Sequence, residues 1–251
     1  MTIPPPDHFR GKTALQHIAE VQAAGVSAAA EIHGAETPGP IFAFLDAARD
    51  SAILLACALI ALDFYHPLIV EELFVGLAIG CGWAIWKGVR STWLAWSQLS
   101  RLHKIAAEER REIEANRPQE REELIALYGA KGFQGALLDK VVDVLMADQD
   151  RLLRVMLQEE MGFRLEEHPH PLIQGFLAFL GVVGSQILLL PLFLGWPSEV
   201  VIVSSFIFVG MLGAIFARLE GNKSIAGFCW NLMMAVTAGI VTRTCMEMIT
   251  S

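Results

Sequence analysis

The stretch Glu108–Glu123, EERREIEANRPQEREE, decides how this chain is read. It is polar and crowded with carboxylates, yet strongly apolar sequence lies on both sides of it. A second acidic run, Met156–Gly162 (MLQEEMG), closes the same polar insert. Outside the insert, composition speaks for a membrane protein. Of the 251 residues 54% are hydrophobic, above the roughly 45–50% of soluble domains, and the mean hydropathy is +0.46. Charge is unevenly placed: of 19 Lys and Arg, 13 fall between Lys87 and Arg164. The net charge of −8 therefore says little about nucleic acid, but no basic patch interleaved with aromatics appears, and nucleic acid is not expected as a partner.

Two apolar segments precede the insert. The first, Ile41 to about Phe64, has a short apolar centre, Ala52–Leu62, and reaches the ~20 residues of a span only if its helix starts near Phe42. Asp46, Arg49 and Asp50 sit near its start. The second runs from about Leu68 to Leu99, lined by Trp83, Trp86, Trp93 and Trp96, which suit a membrane interface. Lys87 and Arg90 interrupt it, and snorkelling of their heads to the interface is the expected account. No breaker appears before Pro118, so one helix is expected to continue through Glu114. Pro118 suits the first position of the next helix, which runs to about Ala130 and ends at Gly132. A helix from Gly135 to Met146 and one capped by Asp148 and running to Met161 complete the insert. His168-Pro169-His170-Pro171 leads back to three further spans, about Leu172–Leu194, Val200–Ala217 and Ile225–Ile249.

The expected fold is therefore all-α: five spans, with a three-helix insert between the second and third. Its divisions are a leader (1–40), spans 1 and 2 (41–99), the insert (100–166) and spans 3 to 5 (167–251). The leader is expected to hold one helix, capped by Thr13. Basic residues accumulate on the cytoplasmic side. With five spans, 18 of the 19 fall with the N-terminus, the start of the first span, the insert or the Arg218/Lys223 loop, counting Lys87 and Arg90 on the second helix, which places the insert in the cytosol. Met1–Asp7 has no apolar core or cleavage site, and a bacterial inner membrane is the expected location. Cys57, Cys81, Cys229 and Cys245 form no CxxC pair and are expected as buried free thiols. His8, His17 and His33 lack metal-site spacing and read as surface residues.

Within the insert, Glu109 and Glu112 share a helix face, as do Glu120 and Glu123, and Met156 and Glu160 share another. Crowded carboxylates repel one another unless a cation compensates. Oxygen donors with one thioether suit Fe²⁺ or Mn²⁺. Spacing alone favours a plainer reading, a solvated face paired with Arg110, Arg111, Arg117 and Arg121.

The segments EERREIE, EREELIALYGAKGF, VVDVLMADQD and MLQEEMGF, followed by GMLGAIFARLEGNKSIAGF between the last two spans, resemble the vacuolar iron transporter family. The likeness covers about residues 45–250 and is closest over the insert. It implies five spans, a homodimer, and Fe²⁺ or Mn²⁺ as transported ion, moved out of the cytosol against protons without enzymatic chemistry or an organic cofactor. By position it implies metal ligands at Glu109, Glu112, Glu120, Glu123, Met156 and Glu160. A further acidic ligand would fall at Leu157, with Glu159 as neighbour. The family's Asp-Gly-Leu motif in the first span is missing; Asp50 and Cys57 are the nearby candidates. Lys87 stands where the family has a methionine. Asp63, Glu71 and Glu72 are candidates for an exit site or plain loop charges. Two other readings stay open: a membrane-anchored metal-binding or sensing protein that does not transport, and a purely structural insert.

Overall fold

The computed structural model describes residue 16 and residues 39–159 and 170–250. The leader helix, the leader histidines and the end of the last insert helix, including Glu160, lie outside the described residues. Among those described, helices and turns account for the architecture and no strand occurs. The helices are α1 (Pro40–Asp63), α2 (Ile69–Ala115), α3 (Arg117–Ala130), α4 (Gly135–Met146), α5 (Gln149–Glu159), α6 (Pro171–Ser185), α7 (Leu190–Phe193), α8 (Ser198–Leu219) and α9 (Ser224–Thr250). They form two compact units: residue 16 and residues 97–159 are the described part of one, and residues 39–96 with 170–250 that of the other. Helix α2 is uninterrupted over 47 residues, as the absence of Pro and Gly pairs before Pro118 leads one to expect. Arg117 begins α3, so Pro118 takes its second position rather than its first. There the missing N–H costs nothing, because first-turn amides have no partner inside the helix.

Four helical segments are long and apolar enough to cross a membrane: Ile69–Ala115, Pro171–Phe193, Ser198–Leu219 and Ser224–Thr250. Helix α1 has the length, 24 residues, but carries Asp46, Arg49, Asp50 and Asp63. Its buried face, Leu45, Ala48, Ala52, Leu55 and Leu59, repeats every three or four residues and packs on α6, α8 and α9. A core of Ala52, Leu55, Leu59, Leu188, Leu189, Leu192, Val201, Val209 and Ala235 joins α1, α8 and α9 to the segment that follows α6. Small residues set the helix separations, as they do where no aqueous hydrophobic drive operates. At Gly181 an added Cβ would stand 2.2 Å from the Phe44 carbonyl oxygen, and at Gly227 2.6 Å from that of Gly213.

The segment after the insert is not the single α-helix expected over Leu172–Leu194. It tightens into a 3₁₀ turn at Gln186–Leu189 before α7. Pro191 explains this: its ring has no N–H to donate and crowds the Ile187 carbonyl four residues back. Expectation also fails for the thiols. Cys81, Cys229 and Cys245 are exposed and Cys57 is half-buried. The first three lie on α2 and α9, where many apolar side chains are exposed as well, Trp86, Trp93, Ile225, Trp230 and Ile240 among them.

Candidate metal centre

The insert is built around an apolar cluster of Ile113, Leu124, Val142, Leu152, Leu153, Met156 and Leu157, to which α2, α3, α4 and α5 all contribute. Helical spacing then carries acidic residues into the interior. Glu109 stands four residues before Ile113, and Glu120 four before Leu124, so each shares a face with a core residue. Glu109, Glu120 and Glu123 are buried, Glu120 completely, and Glu112 is half-buried. Met156 is fully buried inside the cluster itself. Glu160 lies outside the described residues. Among the described residues, no three His, Cys, Asp or Glu side chains converge in metal-binding geometry.

A solvated acidic face does not describe Glu109, Glu120 and Glu123. The arginines that such a face would use are engaged on the outside. Arg110 pairs with Asp150 at 2.5 Å and Arg121 with Asp143 at 2.8 Å, while Arg117 donates to the Met146 carbonyl. Arg111 approaches Glu108, an exposed carboxylate, at 4.0 Å.

Leu157, where the resemblance places an acid, fills core volume instead. Glu159 does not replace it: its carboxylate pairs with Lys131, whose ammonium lies 5.1 Å from the centre of the Tyr128 ring. Burial, and then the Glu159 carboxylate, raise the Tyr128 phenol above its ordinary value. Asp148 caps α5 as the sequence suggests. Its carboxylate accepts the Arg151 N–H at 2.8 Å, and that bond holds its pKa below the usual aspartate range.

A second polar site lies among the apolar helices, and sequence reasoning missed it. Lys87 does not snorkel. Its side chain is only 7% exposed, and its ammonium bridges Asp50 at 2.5 Å and Asp46 at 3.1 Å. Arg49 in turn donates to Asp46 at 2.6 Å and reaches Asn231 of α9 at 3.5 Å. Two carboxylates thus meet two cations across α1 and α2, with the neutral Asn231 of α9 beside Arg49. The signal in the sequence was four charges of zero sum in segments otherwise fit to span. Their pairing could not be read because Lys87 lies 41 residues from Asp46. Arg90, by contrast, is exposed.

The acids near the α1–α2 turn divide as well. Glu71 accepts the Leu68 N–H at 3.0 Å, a local role. Glu72 is buried and bonds the Ser198 side chain at the start of α8, with Asp63 and Glu199 nearby. A loop charge does not describe Glu72.

No curated protein matches this sequence. The model of the VIT family matches residues 91–246, from the middle of α2 through the insert and nearly to the end of α9. That span is more than half of the chain, and the protein belongs to the VIT family, membrane transporters of metal ions.

Proposed function

We propose that the protein is a five-span exporter of divalent iron or manganese. It captures the ion on a cytosolic insert at Glu109, Glu112, Glu120, Glu123, Met156 and Glu160 and moves it out of the cytosol in exchange for protons. The observation that carries this reading is the burial of Glu109, Glu120 and Glu123, on helices that share an apolar core with Met156, in a chain of a metal-transporting family. Helix α1 serves as the fifth span. Its 24 residues extend about 36 Å, and its charges Asp46, Arg49 and Asp50 are matched among themselves and by Lys87. The excess of Lys and Arg in and around the insert supports a cytosolic placement. The protein works in the membrane as a homodimer, as the family resemblance implies.

Uptake of Mn²⁺ and Fe²⁺ into sealed proteoliposomes tests this. Wild type should accumulate both, faster with an opposing proton gradient, and Glu120→Gln should slow uptake at low metal concentration. The buried Lys87 favours a second reading, a membrane-anchored metal-binding protein that does not transport. Binding of both ions without entry into vesicles would establish that reading and sink the first.

A further inference from the structure

The charge cluster in the helical membrane unit holds a cation already, and that cation is part of the protein. The Lys87 ammonium sits between two carboxylates of α1, 2.5 Å from Asp50 and 3.1 Å from Asp46, and the residue is 6% exposed. Arg49 occupies the other oxygen of Asp46, and its guanidinium lies 5.9 Å from the centre of the Phe216 ring. Helix α9 adds the neutral Asn231 through Arg49. Helix α6 has no titratable side chain, and the charged residues of α8, Glu199 and Arg218, lie at its two ends. The charges that face Lys87 are therefore those two aspartates.

Two carboxylates converging on one point are a common arrangement for a divalent cation among oxygen donors. We propose that Lys87 is a built-in competitor for that position: its ammonium stands where a transported divalent cation binds Asp46 and Asp50, and entry of the ion requires its displacement. The proposal rests on the transport reading above for its physiological meaning, though not for its test. Three physical features support it. A tethered ammonium has a high effective concentration at the site, so a monovalent ion in solution competes poorly, while a divalent ion brings twice the charge. The four-carbon stem allows the head to swing toward an interface when displaced. Lastly, removing the ammonium leaves Asp46, Asp50 and Arg49 with one net negative charge, which draws a cation in. Lys87 is thereby a specificity-setting residue, with discrimination against monovalent ions as its consequence.

The test is Mn²⁺ binding to the full-length protein in detergent, followed by electron paramagnetic resonance of the free ion. Lys87→Met and Lys87→Gln should each gain one Mn²⁺ site that wild type lacks, or tighten an existing one at least tenfold, and Na⁺ should compete there. Lys87→Arg, which keeps the cation and adds bidentate bonds, should gain nothing. If neither neutral variant gains a site, the proposal is overturned whatever the transport result. Loss of a monodisperse, helical species in both neutral variants with a native Lys87→Arg also overturns it, since Lys87 would then be a structural clamp. A gained site together with absent uptake by wild type would leave this proposal standing while the transport reading fails.

Discussion

Met156 is a core residue and a proposed metal ligand, and a pair of substitutions separates the two roles. It is fully buried among Ile113, Leu124, Val142, Leu152, Leu153 and Leu157, so truncation to Ala leaves a cavity no neighbour can fill without moving. Such truncations cost about 2–5 kcal/mol. At about 1.4 kcal/mol per factor of ten, protection of amides in α3, α4 and α5 against hydrogen exchange should fall by roughly 30-fold to several thousand-fold. Leucine nearly conserves the volume, and Met156→Leu should cost less than about 1.5 kcal/mol. It removes only the sulfur. If the thioether is a ligand, Met156→Leu should weaken Fe²⁺ binding by at least about tenfold, the low end for losing even an outer partner of a metal site. Mg²⁺, which prefers oxygen, should bind it as it binds wild type. Unchanged Fe²⁺ affinity in a natively protected Met156→Leu would refute the ligand role and leave Met156 as core alone. Unchanged protection in Met156→Ala would refute the packing argument.

Two further outcomes follow from local geometry. Gly181→Ala would place a Cβ 2.2 Å from the Phe44 carbonyl oxygen and 3.2 Å from the Ala48 nitrogen; backbone cannot rotate away, so α1 and α6 must part by about 1 Å at a cost of about 1–3 kcal/mol. The melting temperature in detergent should drop, whereas Gly82→Ala, with nothing within 4 Å of its added Cβ, should leave it unchanged or raise it. At Asp148 the folded pKa lies below the unfolded one, so its capping contribution is complete above the ordinary aspartate range and is lost as pH falls through the lowered value. Helix α5 in wild type should therefore fray as pH falls below the ordinary aspartate range relative to Asp148→Asn, which keeps an acceptor that does not titrate; identical pH profiles of α5 amide exchange would contradict this.

Much of the fold is legible along the chain because its causes are local. Apolar length marks the membrane-fit helices. The absence of a breaker before Pro118 yields the continuous α2, and the left-handed Gly132 (φ +96°) follows α3 where glycine alone is comfortable. The acidic stretch Glu108–Glu123 announced its helices by spacing, and its likeness to one family implies which carboxylates to test as ligands. Spacing could not show that Glu120 and Glu123 are buried while Glu122 is exposed, since a carboxylate's environment depends on which face meets another helix. Lys87 makes the same point more sharply. Its neighbours in sequence place a cation in an apolar helix, for which an interface is the cheapest destination. Only the packing of α1 and α2 in one unit brings Asp46 and Asp50 within reach, and two opposite charges at close range make burial tolerable where solvent would otherwise be required. Helix identity and length were thus set by the chain's own periodicity, whereas the partners of each buried charge were decided by tertiary contact, because charge pairing depends on distances between helices that no local pattern encodes.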